Sequence, residues 1–228
     1  MKKKLNFMVL GVFLVSVVVI GFSGFAAQSV NEDDEAAFEA AVDADNMAMQ
    51  TGVISLDVLQ NQTKLASSSR MAADFEGVVL HSAEIQSTPQ YDAYYSSERA
   101  SQLEEMHKAV LENIDGTEVT VGGGTLNNHL QSSEDISDTE KMITVSEVSW
   151  LETIYHRDSN YTVNLIFNRD VMTYRMMKEK DSWIIVESVS QQKGFAPSDY
   201  QGDKGTFDTF QEAVEFAVQL DVEAENPF

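Results

Sequence analysis

From Met142 to Val189 the chain is a run of long apolar–polar alternations, broken only at Asp158-Ser159-Asn160 and Lys180-Asp181-Ser182. Alternation with period two marks strands that bury one face. The breaks are turn sequences too short for a crossover, so neighbouring strands must run antiparallel as hairpins. A sheet of this kind needs a covering layer for its apolar face.

Within these runs the apolar parity changes. Ile143 and Val145 share one parity, whereas Val148, Trp150 and Ile154 share the other, which predicts a bulge near Ser146-Glu147. Tyr161, Val163, Leu165 and Phe167 share a face, but beyond Asn168-Arg169-Asp170 the apolar set becomes Met172, Tyr174 and Met176. Two such slips in neighbouring strands predict a strongly bent sheet. Trp183, Ile184, Ile185, Val186 and Val189 form the last run, and Val119 with Val121 a short first one. Gly122-Gly123-Gly124 then reads as the opening of a polar loop that lasts through Ser132 to Asp138.

The covering helix is expected to run from Thr88-Pro89, a cap followed by a proline tolerated at the first helical position, to Asp115-Gly116. Tyr91, Tyr95, Leu103, Met106, Val110 and Ile114 recur along it at helical spacing. Upstream, residues 28–50 are acidic and alanine-rich. Phe38, Val42, Met47 and Met49 are sparse there, which reads as a weak helix or a tether. Short helices are expected around Ile54 to Leu65 and Met71 to Leu80. After a turn-rich link from Gly194 to Gly205, Thr209 and Glu212 spell a capping box for a helix with Phe210, Val214, Ala217 and Val218 on one face. The fold class is therefore α+β, a long helix packed on a bent antiparallel sheet of about four strands with additional N-terminal and C-terminal helices. Burial is expected to be greatest at Trp183, Ile185, Leu165, Phe167, Leu103 and Met106.

The first residues follow a different logic. Lys2, Lys3 and Lys4 precede the apolar run Leu5 to Phe22, and small residues follow at Ser23, Gly24, Ala26 and Ala27. This is the pattern of a secretory signal, with cleavage between Ala26 and Ala27. The apolar run is also long enough for an uncleaved N-terminal anchor, and either outcome puts the body outside the membrane because the lysines stay on the cytoplasmic side. The segments are then 1–26 as signal peptide, 27–87 as an acidic helical region, 88–200 as the α+β domain and 201–228 as a C-terminal helical extension. A secreted or cell-surface location follows, and with no cysteine in the chain there is no disulfide, thiolate metal site or cysteine nucleophile.

The element order, the tyrosines at the helix start, the strand Trp183-Ile184-Ile185-Val186 and the Asp199-Tyr200 after it carry a resemblance. Residues 88–200 resemble the NTF2-like/cystatin-like region that precedes the amidase domain in exported Gram-positive amidase-family proteins. The catalytic cysteine and histidine of that family belong to the following domain. With no cysteine in this chain, the resemblance implies a fold and no activity.

Charge narrows the partners. The chain has 37 acids against 15 bases, three of which are Lys2, Lys3 and Lys4, so the body is strongly anionic. Nucleic acid and anionic membrane are poor partners for such a surface. Seven of the bases lie between Lys141 and Lys193, where 141–200 holds only eight acids. The sheet is thus the least repulsive surface towards an acidic protein or cell-surface partner. Arg169 and Arg175, of the parity opposite Met172, Tyr174 and Met176, are the candidate docking pair.

Catalytic, cofactor and metal motifs give no match. His81, His107, His129 and His156 are scattered and read as solvent-facing, and His156-Arg157-Asp158 is a hairpin end. Asp43, Asp45 and Asn46 begin like a calcium loop, but Ala48 and Ile54 occupy its glycine and glutamate positions. Glu134, Asp135, Asp138 and Glu140 read as a solvated acidic loop, with weak collection of Ca²⁺ as the alternative. Trp150, Trp183, Tyr155, Tyr161 and Tyr174 read as core, or as the lining of a conical sheet's mouth. Two readings remain: an exported, non-catalytic binding or interaction module, and an NTF2-like small-molecule-binding protein or hydrolase using the cone. The first predicts a cavity too small or too apolar to converge polar groups; a pocket with a buried acid beside His or Tyr would reverse the order.

Overall fold

The computed structural model describes residues 32–50, 52–61, 75–84, 89–113, 116–191 and 200–228. The signal segment, the cut between Ala26 and Ala27, and Thr88 lie outside the described residues. Among the described residues no helix is long and apolar enough to cross a membrane.

Strands β1 (Glu118–Ser137), β2 (Glu140–Arg157), β3 (Asn160–Glu179) and β4 (Ser182–Ser190) form an antiparallel meander. A fifth strand, β5 (Tyr200–Phe207), pairs with β3 as well. The two-residue links are hairpin turns as expected, and Asp158, Ser159 and Lys180 supply the positive φ such turns require. The β2–β3 register is unbroken from Glu140 opposite Met177 to Arg157 opposite Asn160. The expected bulge in β2 is therefore absent from that ladder. It lies in the partner strand, where β1 shifts register between Leu126 and His129, and Asn127 has φ 53°.

The parity change has another cause: the core changes faces. Ile143 and Val145 of β2 with Met172, Tyr174 and Met176 of β3 belong to one apolar cluster. Ile154 with Val163, and Val148 with Leu165 and Phe167, belong to two others. By strand parity these sets lie on opposite faces of one ladder.

The first face is covered by α1 (Glu32–Met49), the segment whose large apolar residues looked too sparse. Its buried residues are Ala37, Ala41 and Ala44 with Asp34 and Asp45, so the contact stripe is small and polar where a pattern of large residues was sought. The acidic first turn suits the positive end of the helix dipole and also pins the helix to the sheet. Asp33 meets Lys178 at 2.8 Å, and Asp34 pairs with the buried Lys141 and accepts from Ser133 Oγ at 2.6 Å. Lys141 and Lys178 also lie 5.7 and 5.4 Å from the ring of Trp183.

The expected helix over 88–115 is shorter. A 3₁₀ turn at Tyr91–Ala93 comes first, then Tyr94 and Ser96 hydrogen-bond to the backbone of Ile185, and the α-helix occupies only Ser97–Glu112. This helix is α4; α2 is described over 56–61 and α3 is Phe75–Glu84. α4 thus starts more than two turns after Thr88, and its buried positions are Ala100, Leu103 and His107, while Met106 is 37% exposed against expectation. Leu165, Phe167, Trp183, Ile185 and Leu103 are buried as expected.

On the second face, α2 and α3 contribute Leu59, Phe75 and Val79, and α5 (Phe210–Ala217) contributes Phe210, Ala213, Val214 and Ala217. The Thr209/Glu212 capping box is formed, but Val218 lies outside the helix and is exposed. A last short helix, α6, is Val222–Glu225. The region from Gly194 to Gly205 is in part strand, since β5 begins at Tyr200.

Candidate functional site

β4 and β5 pair with β3 on the side away from β2, β4 from Met172 onward and β5 up to Phe167. Among the described residues, 168–171 therefore have β2 as their only strand neighbour. Beside this stretch and the β1 bulge lies a cavity of about 530 Å³ lined by Asn127, Ser146, Glu147, Asp170, Val171 and Gln191, with Val148 and Arg169 completing the wall.

Beside it, on the α1 face of the ladder, three acids from three elements meet. Glu147 of β2 and Asp170 of β3 are direct cross-strand partners, an arrangement that places like charges opposite each other. Asp45 of α1 reaches them from above, with its Oδ2 accepting from the Tyr174 hydroxyl. Asp170 is well supplied with donors: the Val171 amide at 2.7 Å and Ser190 Oγ at 2.7 Å. Glu147 is only 8% exposed, and no N–H or hydroxyl reaches its buried Oε2.

Burial, and then the charge of Glu147, push the Asp45 carboxyl well above the usual carboxylate range. Burial also raises Glu147, to about 7, with the Asp170 charge adding to the shift. With both carboxyls raised, the pair favours keeping a proton near neutral pH. Tyr95, whose hydroxyl donates to the Ala44 carbonyl at 3.3 Å, is raised by burial and next by the Asp45 charge, so it stays neutral.

The docking pair is placed as parity predicted, with Arg169 and Arg175 both exposed on β3. Only Arg169 borders the cavity. Arg175 pairs with Glu140, and the Arg169 guanidinium lies 4.3 Å from the Phe228 ring centroid, so both face groups of their own chain. The aromatic residues do not line one mouth. Trp183 and Tyr174 belong to the α1-side cluster, while Trp150 and Tyr161 pack with the other two.

His107 corrects the solvent-facing reading of the histidines. It is 1% exposed, neither ring nitrogen has a hydrogen-bond partner, and burial lowers its pKa. His129 and His156 are exposed, and the side chain of His81 lies outside the described residues. Among the described residues no three His, Asp or Glu side chains are grouped as a metal site, and Asp135 and Glu140 of the acidic loop pair with Lys141 and Arg175.

The sequence reading passed over Asp45, Glu147 and Asp170 as a group. A signal existed, because Glu147 continues the parity of Ile143 and Val145, and Asp170 that of Met172 and Tyr174. Acids in the inward register of strands are anomalous.

No family model matches this chain, and no curated protein matches it. Among solved structures, it is similar to the intermembrane space region of the chloroplast protein ARC6, at 12% identity and a TM-score of 0.35, over 59% of this chain and 91% of that one. A likeness at that level carries no argument about function.

Proposed function

We propose that this chain is an exported, non-catalytic binding module that takes a small polar ligand in the cavity beside 168–171 of β3. The observation that carries the reading is the cavity itself, whose lining includes the buried acid Glu147, with Asp45 behind it resting on Tyr174. A buried acid beside tyrosine favours a small-molecule site over a purely protein-docking surface. The engagement of Arg169 and Arg175 within the chain points the same way. The volume of about 530 Å³ lies in the range of small-ligand clefts.

Export rests on Lys2 to Lys4, the apolar run and the small residues before Ala27. The anionic body disfavours nucleic acid and anionic lipid as ligands. The NTF2-like/cystatin-like arrangement is part of the proposal, supported by the antiparallel meander with helices against its faces.

The test is an amide-resolved NMR titration of the secreted protein with a mixed collection of small polar and charged compounds. The expected result is shifts clustered at Asn127, Val148, Val171 and Gln191. Binding confined to surfaces away from these residues would overturn the reading. Mass spectrometry of the secreted chain is expected to find Ala27 at its N-terminus.

A further inference from the structure

One residue breaks the apolar pattern of α4. The inward stripe of the helix is Ala100, Leu103, His107 and Leu111, at helical spacings of three and four. Leu103 belongs to the α1-side cluster, while Leu111 packs against the cluster that holds Ile154 and Phe210. His107 therefore stands between two apolar cores, at a position where a polar side chain is anomalous. We propose that α4 is an acid-released flap, which protonation of His107 lifts off Tyr91 while the sheet stays folded. The device is separate from the cavity beside β3, since no residue of α4 lines that cavity.

The geometry around the ring carries the inference. His107 is 1% exposed, and neither Nδ1 nor Nε2 has a hydrogen-bond partner. Its ring meets that of Tyr91 edge to face with centroids 6.5 Å apart, and Tyr91 meets Tyr95 in the same way at 6.3 Å. A neutral imidazole already leaves one donor and one acceptor unserved there. An imidazolium is a donor at both nitrogens and brings a charge into the same apolar surroundings, which costs more. Little else holds the helix down: among the described residues α4 fully buries only Ala100 and Leu103 besides His107. An element with so small a buried face opens locally at less cost than the strands beneath it. Its N-terminal end is fixed, because the Ser96 amide donates to the Ile185 carbonyl at 2.9 Å.

The charged and titratable groups on the described elements around α4 do not replace His107 as the trigger. Tyr91 and Tyr95 face the helix from the segment before it and stay neutral in acid. Asp92 of that segment, Asp57 beyond the Gly52 that Val110 packs on, and Glu76 of α3 beside Gly116 are exposed. On α4 itself Arg99 lies near Tyr95, and Glu104 and Lys108 are exposed. Burial is what lowers the His107 pKa. The docked flap thus binds the proton less well than the released one. Docking is at full strength above about pH 6.5 and weakens as pH falls below it, towards the lowered docked value. Once out, the imidazolium is hydrated, and Glu104 one turn back and the anionic body favour its charge. The proton comes from solvent, and no covalent bond is made or broken.

The experiment is an NMR pH titration of the full secreted chain from about pH 8 to 5, read through the imidazole C–H signals and through amide hydrogen exchange corrected for its intrinsic pH dependence. His107 is expected to titrate below the exposed His129 and His156. Exchange at Leu103 to Leu111 should quicken by up to about tenfold per pH unit below about 6.5, as uptake of one proton on release requires. Leu165 and Phe167 of β3 should stay protected over the same range. His107→Leu should abolish the acid response of α4, and if that variant does not fold, the two profiles of the parent decide. Equal protection of α4 at pH 7 and pH 5 overturns the flap. Opening of α4 and β3 together overturns it as well, since the event is then global unfolding. A folded His107→Leu protein that keeps the acid response overturns His107 as the trigger.

Discussion

The two halves of the β2–β3 ladder are built differently. On the half that meets α1, the contact is alanine against strand, held by polar pins: Asp33 with Lys178, Asp34 with Lys141, and Asp45 with Tyr174. On the half that meets α3 and α5, the contact is aromatic, with Phe75 edge-on to Tyr161 at 5.2 Å and to Phe210 at 4.6 Å. Both halves cover a strand pair of unbroken register. What differs is how specificity is obtained. An alanine stripe allows close approach but fixes little, so polar pins must set the position of α1. Interlocking rings set the position of α5 by shape. The cavity acids sit at the seam, where the core changes faces.

The largest expected effects come from removing one member of each kind. Phe210→Ala should cost about 3–5 kcal/mol at any pH, since only apolar packing is lost. Lys141→Ala should cost about 3–5 kcal/mol near neutrality, because the buried Asp34 loses its counter-charge. That loss should shrink in acid as Asp34 takes a proton. Chemical denaturation at two pH values distinguishes them. Equal pH response of both variants would erase the contrast. In the same assay Lys141→Met with Asp34→Leu should be about as stable as the parent, as buried ion pairs replaced by apolar residues often are.

A middle-sized effect concerns the seam. Glu147 and Glu152 are both raised to about 7, mainly by burial. A carboxyl raised in the folded state binds more protons there than when unfolded, so its contribution falls as pH rises from about 4.5 to 7 and stays low above that. His107, lowered by burial, works in the opposite direction, as protons bind better to the unfolded chain below about 6.5. Between pH 8 and 6.5 the acids dominate, and melting temperature should rise on acidification. Glu147→Gln should raise stability near pH 8 by about 1–3 kcal/mol and flatten the slope. A steeper slope would contradict the assignment. The smallest effect is on the aromatic side, where Thr209→Ala removes half of the capping box and should cost about 1 kcal/mol in thermal unfolding.

The sequence made some elements legible and hid others for definable reasons. The hairpins at Asp158-Ser159 and Lys180-Asp181 were readable because turn chemistry is local, and so was the Thr209/Glu212 cap. Leu165, Phe167, Trp183 and Ile185 were readable as core because their alternation survives in place. β1 was hidden because Gly122-Gly123-Gly124 suggested a loop, yet the strand runs straight through. A Cβ at Gly122 would stand 2.9 Å from Trp150 Cζ3, and one at Gly123 2.5 Å from the Met49 carbonyl oxygen. Those glycines answer to close approach within a strand. The face of α1 was hidden because alanine and aspartate do not register as an apolar stripe. The site was hidden for a related reason: Glu147 and Asp170 read as phase slips, and only the fold brings Asp45 to them.

The pins on α1 also impose an order of events. Asp34 lies 107 residues from Lys141, and Asp33 lies 145 from Lys178. A chain that emerges N-terminus first presents α1 long before either lysine exists to receive it. With a stripe of alanines alone, the helix has little to hold it meanwhile. Closing so long a loop makes the α1–sheet contact a late and slow step. Until then, the apolar face formed by Ile143, Val145, Tyr174 and Met176 stands uncovered, and whatever attends the nascent chain must shield it.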